Sequence, residues 1–360
     1  MPPKNPSSPR RSAAPADDPL ALFHPVTRRW FRSALGEPTP AQALAWPPIA
    51  RGENTLLLAP TGTGKTLAAF LWCLDRLVFH PEAAGQTRVL YLSPLKALAV
   101  DVERNLRVPL AGIADLARVS GVSLRIPEIA VRTGDTPQRE RARFRRQPAD
   151  ILITTPESLY LLLTSEAAAA LRTVETVIVD EIHALLPTKR GAHLALSLER
   201  LEAIAARPLQ RIGLSATQRP LEEVARFLVG TDLSTQSARP VTIINAASPK
   251  QLSLRVEVPV EDLAPAAPPD PASPGPKRAS IWTTIPPRLL EIVRQRRSTL
   301  IFVNNRRTAE RLAGSLNELA TAEELPIARA HHGSLAAAQR AEIEEQLKAG
   351  RIRALVATSS

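Results

Sequence analysis

The sequence contains a single cysteine, Cys73, which excludes a framework of intrachain disulfides. Cys73 lies in an apolar stretch, which indicates a side chain in the core. A single cysteine is also typical of a protein of the reducing cytoplasm. Long apolar runs are also missing, and the Pro-, Arg- and Ser-rich first residues lack the apolar segment of a secretory signal. We therefore expect a soluble, cytoplasmic protein without a membrane partner. His331 and His332 lack further ligands at metal spacing, which argues against a zinc site.

Acidic residues are in the minority, since 35 Asp and Glu stand against 46 Lys and Arg and leave a net charge of +11. Such an excess favours a polyanionic partner such as nucleic acid, although a ribosome-associated or membrane-surface protein would fit the charge nearly as well. With 44% hydrophobic residues, the 360-residue chain can bury cores of its own. Short apolar strands alternate with helical patterns, which predicts the α/β class with a parallel sheet and helices on both faces.

The clearest motif occupies residues 54–66, where a short apolar run ends in Ala-Pro-Thr-Gly-Thr-Gly-Lys-Thr and an apolar helix follows. This pattern predicts a phosphate-binding loop, in which exposed backbone N–H groups and a helix N-terminus hold phosphates. We expect Lys65 to reach the terminal phosphates and the Thr66 hydroxyl to ligate Mg²⁺. Ala59 stands where the usual pattern opens with Gly. The nucleotide contacts predicted within the loop are Thr61, Gly62, Thr63, Gly64, Lys65 and Thr66.

Two adjacent carboxylates, Asp180 and Glu181, follow the buried strand predicted at residues 174–179. Two such charges are costly after an apolar strand unless a cation compensates them, and Mg²⁺ would do so. Asp180 would hold the metal, while Glu181 would orient and deprotonate the water that attacks the γ-phosphate. A structural ion pair is the alternative. Upstream, the amide of Gln42 is placed to read an adenine edge, unless it is an ordinary surface glutamine.

Other predicted strands also end in polar residues. Lys96 follows the strand 88–92 and would hold a phosphodiester, or else it is a solvated lysine in a helix cap. Thr155 follows the strand 150–154 and caps the next helix, which forms a second candidate phosphate site. Ser215 and Thr217 follow the strand 210–214 and would link residues 180–183 to a neighbouring domain, or they form a simple turn. Five arginines at 139–146 are more typical of a solvated helix face.

Composition divides the chain into four parts. The first residues cannot bury enough apolar surface to become ordered, and a Pro-rich stretch at 263–278 is typical of an exposed linker. Beyond it a second α/β pattern contains three predicted strands, at 299–303, 327–330 and 354–357. The predicted parts are a disordered tail (1–19), a first α/β domain (20–246), a connecting segment (247–285) and a second, incomplete α/β domain (286–360).

In order, the motifs resemble those of superfamily 2 DEAD/DEAH-type helicases. They are most similar to the large helicase-related (Lhr) family of ATP-dependent DNA helicases, because Ile-His rather than Ala-Asp follows the acidic pair. The segments that carry the resemblance are Pro-Thr-Pro-Ala-Gln, the phosphate loop, Ser-Pro-Leu-Lys-Ala-Leu, Ile-Thr-Thr-Pro-Glu-Ser-Leu, Val-Asp-Glu-Ile-His, Leu-Ser-Ala-Thr, Ile-Phe-Val-Asn-Asn-Arg-Arg, His-His-Gly-Ser-Leu and Val-Ala-Thr-Ser-Ser.

The resemblance implies two RecA-like domains that use ATP and Mg²⁺ to move along single-stranded nucleic acid, DNA rather than RNA, in a process such as DNA repair. It assigns strand-backbone contacts to Lys96, Thr155, Asn304, Ser334 and Thr358, and coupling of the two activities to His183, Ser215 and Thr217. Family members continue into a Gly-Ile-Asp segment and an arginine-bearing motif after the last matched motif, so we expect a truncated second domain and slow hydrolysis. The alternatives are a P-loop ATPase that remodels or scaffolds proteins, and a nucleic-acid-binding fragment without turnover.

Overall fold

The computed structural model describes residues 18–216, 220–232, 234–246, 253–258 and 281–358. The predicted tail, apart from its last two residues, lies outside the described residues, and so do the Pro-rich linker and Thr217. The chain forms two compact units, Met1–Lys250 and Gln251–Ser360. The division falls a few residues beyond the predicted end of the first domain.

The first unit contains nine strands and nine α-helices among the described residues. The strands are β1 (Thr55–Leu58), β2 (Val89–Leu92), β3 (Ile129–Arg132), β4 (Ile151–Thr154), β5 (Thr176–Val179), β6 (Gln210–Ser215), β7 (Thr231–Asp232), β8 (Ser237–Ala238) and β9 (Thr242–Asn245). The helices are α1 (Pro25–Leu35), α2 (Pro40–Ala50), α3 (Lys65–Phe79), α4 (Lys96–Val119), α5 (Gln138–Arg146), α6 (Pro156–Leu163), α7 (Ile182–Leu185), α8 (Lys189–Ile204) and α9 (Leu221–Val229).

Seven of these strands form one parallel sheet in the order β3-β4-β2-β5-β6-β1-β9, and β7 pairs with β8 in a separate antiparallel ribbon. Side chains of the central strands alternate between two buried apolar clusters, so that Leu57 and Ile178 face one and Leu56 and Val177 face the other. A strand that is buried on both faces reads as a continuous apolar run. The predicted α/β class is confirmed, and because all seven strands are parallel, their carboxyl ends meet at one edge.

Aromatic packing anchors α2 against the sheet. Trp46 is fully buried, and its ring meets those of Phe23 and Phe31 edge-to-face at centroid distances of 4.9 and 5.4 Å. Ile49 is fully buried as well. Each such side chain contributes about 1.5–3 kcal/mol by leaving water. This packing fixes the N-terminus of α2, and therefore Gln42, beside the loop that follows β1.

The second unit contains a three-stranded parallel sheet in the order β10-β12-β11. Its elements are α10 (Ile281–Arg294), β10 (Thr299–Val303), α11 (Arg306–Leu319), β11 (Ala328–His331), α12 (Ala337–Lys348) and β12 (Ala354–Thr358). The predicted strands are present, with β11 shifted by one residue. α10 begins five residues before the predicted start of this domain and contains Pro286 and Pro287 in its interior.

One face of this second sheet is covered, whereas the other is covered at the central strand β12, where Leu355 and Ala357 are buried, and is open at β10. Val293 and Leu316 pack with Val356 into a buried cluster under α10 and α11. On the opposite face, Leu300 and Phe302 of β10 are 56% and 69% exposed. Within the described part of the chain, no helix has the length and apolar character that crossing a membrane requires.

Candidate functional site

The phosphate loop is built by the strand, turn and helix that the sequence predicts. Gly62 and Gly64 have φ angles of +85° and +79°, in the left-handed region that favours glycine, and Gly64 directly precedes α3. A Cβ on Gly64 would lie 2.5 Å from Nε2 of Gln42, so this position has no room for a side chain. The buried Lys65 amino group donates to the Ala59 carbonyl at 2.5 Å. The loop thus presents a helix N-terminus and one cation to an anion.

Gln42 lies against this loop, as predicted, but its amide oxygen already accepts a hydrogen bond within α2 and its cap. Its Oε1 accepts from the Thr39 N–H at 2.9 Å, while the Thr39 hydroxyl accepts from the Gln42 N–H at 3.3 Å. This capping box opens α2 with Pro40 in its first turn. The Thr39 hydroxyl also donates to the Thr63 carbonyl at 2.9 Å. An adenine edge would therefore meet the amide nitrogen of Gln42, which faces Gly64.

Asp180 stands at the carboxyl end of β5 and is 7% exposed. Its Oδ1 accepts from the Glu181 N–H at 2.8 Å, and its Oδ2 accepts from the hydroxyl of Tyr91. Burial raises the pKa of Asp180, whereas these two hydrogen bonds and the charge of Lys65 act in the opposite direction. Lys65 and Asp180 are therefore close enough to influence each other's charge. The sequence did not single out Tyr91, although a buried tyrosine hydroxyl usually has a partner.

Glu181 adopts φ +46° and ψ +42°, a left-handed conformation that is rare outside glycine and asparagine. Such backbone strain concentrates at functional sites. Its Oε2 lies 3.3 Å from Nδ1 of His183, and the same nitrogen lies 3.4 Å from the Ser215 hydroxyl. Of the residues predicted to couple two activities, His183 thus contacts Glu181, and Ser215 contacts His183. The third, Thr217, lies outside the described residues.

The residues present fit a Mg²⁺ ion that arrives with a nucleotide. No group of three or more His, Cys, Asp or Glu side chains that could form a metal cage occurs in the described segments. Mg²⁺ in nucleotide sites uses one or two protein oxygens together with phosphates and water. One carboxylate, Asp180, beside the helix that carries Thr66 supplies such a partial set.

The predicted nucleic-acid residues of the first unit follow the adjacent strands β2 and β4. Lys96 begins α4, and its amino group pairs with Asp135 at 2.7 Å on the surface. Thr155 is the N-cap of α6, where its hydroxyl accepts from the Ser158 N–H at 3.4 Å. Both residues therefore lie at helix N-termini on the same sheet edge as the phosphate loop.

Two arginines that had no predicted role at this edge hold its loops in place. Arg190 donates to the Pro94 carbonyl at 2.8 Å and to Glu157 at 2.6 Å, which ties the loop after β2 to the start of α6. Arg141 donates to the carbonyls of Gly134 and Thr136, both at 2.8 Å. Arg141 thus braces a loop instead of belonging to the purely solvated face predicted for the α5 arginines.

In the second unit, Asn304 follows β10, Thr358 ends β12, and Ser334 lies in the turn after β11. Because the three strands are parallel, these three predicted contacts share the carboxyl edge of their own sheet. His331 ends β11 and lies 3.1 Å from Glu344, while His332 is buried and lies 2.7 Å from Glu310. Both histidines are therefore partners of carboxylates.

The parallel sheets, the phosphate loop and the acidic pair define a RecA-like P-loop protein. A family model described as DEAD/DEAH box helicase matches residues 39–225, and one described as helicase conserved C-terminal domain matches residues 285–360. The chain therefore belongs to the DEAD/DEAH box helicase family, which confirms the resemblance found in the motifs.

Among curated proteins, the chain is 49% identical to the Lhr helicase/probable uracil glycosylase of Mycolicibacterium smegmatis, over 95% of this chain and 24% of that protein. It is 44% identical to the Lhr helicase/uracil glycosylase of Escherichia coli, over 95% of this chain and 25% of that protein. It is 42% identical to the ATP-dependent helicase Lhr-Core of Methanothermobacter thermautotrophicus, over 94% of this chain and 38% of that protein. The chain thus spans about a quarter of the bacterial relatives and less than half of the archaeal one.

Among solved structures, Mycobacterium smegmatis helicase Lhr bound to ssDNA and AMP-PNP superposes with a TM-score of 0.77 at 52% identity, over 95% of this chain and 42% of that one. The DUF1998 helicase MrfA bound to DNA and AMPPNP gives a TM-score of 0.69 at 20% identity, over 94% of this chain and 44% of that one. At this low identity the similarity supports the fold alone. The two RecA-like units expected from the sequence agree with these structures.

Proposed function

We propose that the protein is an ATP-dependent helicase or translocase that couples hydrolysis to movement along a single strand of nucleic acid. The observation that carries the proposal is the grouping of the phosphate loop, Asp180 and Glu181 at one sheet edge, with Lys65 close enough to stabilise the ionised form of Asp180. Each unit also brings hydroxyl, amide or lysine side chains to the carboxyl edge of its sheet, where a phosphodiester backbone could bind.

The ATP site in this proposal uses the loop backbone for the phosphates and Lys65 for their terminal charge. Asp180 and Thr66 would hold Mg²⁺, which supplies charge neutralisation of the phosphates when it is bound. Glu181 would take the proton of the attacking water, and His183 would hold the Glu181 carboxylate and relay its position to Ser215. Gln42 would meet the adenine through its amide nitrogen.

We propose DNA as the preferred strand and repair as the setting, in the cytoplasm. A relative with 52% identity was solved with ssDNA, and the names of the two bacterial relatives include uracil glycosylase, which one of them gives as probable. The exposed Lys96 suits a backbone phosphate of either nucleic acid. Matched single strands of DNA and RNA should therefore both bind, with stronger ATPase stimulation by DNA.

The experiment that tests the function compares Lys65→Ala with Glu181→Gln. Lys65→Ala should weaken binding of a fluorescent ADP analogue about 10- to 100-fold, because a charge-assisted contact is lost. Glu181→Gln should keep that affinity and lower DNA-stimulated turnover about 10²- to 10⁴-fold, because the amide cannot accept the proton.

Lys348→Ala, at an exposed lysine of α12, is the matched control and should behave as wild type in both assays. Equal loss of nucleotide affinity in Lys65→Ala and Glu181→Gln would contradict the division of roles. A wild-type ATPase that responds to neither DNA nor RNA would favour a P-loop ATPase acting on proteins, and binding of DNA without any turnover would favour the fragment without activity.

A further inference from the structure

Tyr91 is a fully buried residue of β2 whose hydroxyl contacts the acidic pair. Its ring packs on Phe70 of α3 at a centroid distance of 5.1 Å, so the side chain is held from the apolar side. Its hydroxyl donates to Oδ2 of Asp180. Burial, and then the negative charge of Asp180, raise the pKa of Tyr91 far above its ordinary value. The hydroxyl is the donor of this hydrogen bond, because an ionised carboxylate can only accept.

The Asp180 carboxylate is gripped at both oxygens from two different elements. The Glu181 N–H holds Oδ1 at 2.8 Å, and Tyr91 holds Oδ2 from the neighbouring strand. β2 and β5 are paired in register along their whole length, and the Asp180 N–H continues the ladder to the Leu92 carbonyl at 2.9 Å. Two donors, one from β2 and one from the start of α7, fix both the position and the plane of the carboxylate, while each oxygen keeps a second lone pair.

Resting on the proposed function above, we infer that Tyr91 is a positioning residue for the metal of the ATP site, which orients Asp180 for Mg²⁺ through a hydrogen bond to Oδ2. Partners that hold a metal-binding side chain from behind set its orientation, and losing one commonly costs 10- to 100-fold in metal affinity. Tyr91 itself contacts neither metal nor nucleotide in this role, because its ring is enclosed between β2 and α3.

The test is Tyr91→Phe, which keeps the ring and its packing and removes only the hydroxyl. The readout is binding of a fluorescent ADP analogue titrated with Mg²⁺. The Mg²⁺ concentration at half-effect should rise about 10- to 100-fold, while the affinity in EDTA should stay within about twofold of wild type. Tyr160→Phe, at the other tyrosine of the chain, is the matched control, since that ring is 37% exposed on α6, and it should behave as wild type.

If Tyr91→Phe folds poorly on its own, the same question can be asked in an Asp180→Asn background. Asp180→Asn removes the buried negative charge to which the Tyr91 hydroxyl donates. Tyr91→Phe should add nothing to the Mg²⁺ defect of Asp180→Asn. An unchanged Mg²⁺ midpoint in Tyr91→Phe, or a further defect in the double variant, would overturn the inference. Wild-type protein that binds the ADP analogue without any response to Mg²⁺ would instead overturn the proposed ATP site.

Discussion

Gly64→Ala should be among the most disruptive small substitutions in the first unit, for two separate reasons. The residue sits at φ +79°, where an alanine costs about 1–2 kcal/mol. Its new Cβ would also lie 2.5 Å from Nε2 of Gln42, so the glutamine side chain must move. Moving it breaks the hydrogen bond that the Thr39 N–H donates to Oε1 of Gln42, which is worth about 1 kcal/mol. The expected loss is about 2–3 kcal/mol in the free energy of unfolding.

The assay is urea unfolding followed by tryptophan fluorescence, with Gly121→Ala as the matched control. Gly121 also has a positive φ, +65°, but a Cβ there would meet nothing within 4 Å, so only the backbone cost of about 1–2 kcal/mol applies. Gly64→Ala should therefore unfold at lower urea than Gly121→Ala. It should also lose binding of the fluorescent ADP analogue, which Gly121→Ala should keep.

A double-mutant cycle isolates the steric part. In Gln42→Ala the hydrogen bond from the Thr39 N–H to Oε1 is already lost and the obstructing side chain is absent, so Gly64→Ala should there cost only the backbone term. The two substitutions should then be less than additive by about 1 kcal/mol. Full additivity would show that the close approach of Gln42 to Gly64 does not restrict this position, and the reasoning would fail.

Two further predictions concern Lys96 and Cys73. Lys96→Ala should weaken binding to unrelated single strands alike, because the exposed pair with Asp135 is weak enough for a phosphate to replace Asp135. The slope of log binding constant against log salt concentration should become shallower by about 0.7. A sequence-selective effect or an unchanged slope would make Lys96 a helix-cap residue only. Burial raises the pKa of Cys73 to about 12, so Ellman's reagent at pH 8 should react about a thousandfold more slowly with native than with urea-unfolded protein, and rapid labelling of native protein would contradict the buried position.

The local motifs could be predicted from the sequence because their geometry is set by residues adjacent in the chain. The phosphate loop needs a strand, two glycines and a helix start within about a dozen residues, and all of these can be read directly. The cap of α2 is equally local, since Thr39 and Gln42 are three residues apart. By contrast, Pro286 and Pro287 lie inside α10, although a local interpretation of a proline pair favours a helix start.

The order of the strands was beyond a local reading. The sequence predicted parallel strands, but their arrangement depends on which apolar faces meet across gaps of tens of residues. That order brings β5 between β2 and β6, and it explains why Ser215 reaches His183 and why Lys96 and Thr155 follow neighbouring strands. Any parallel sheet would place these residues at one edge. Which of them lie next to each other is determined only by the actual order of the strands.

Tyr91 shows this limit most clearly. Within its own strand the tyrosine reads as one more large residue in an apolar run, and burial alone would predict only that its hydroxyl finds some partner. The partner lies 89 positions away in sequence, and it is reached because β2 pairs with β5 so that the strand ends align. A shift of one residue in that register would turn Tyr91 to the opposite face of the sheet, away from α3 and Phe70. The orientation of the Asp180 carboxylate is thus decided by sheet register, a property that no single motif contains.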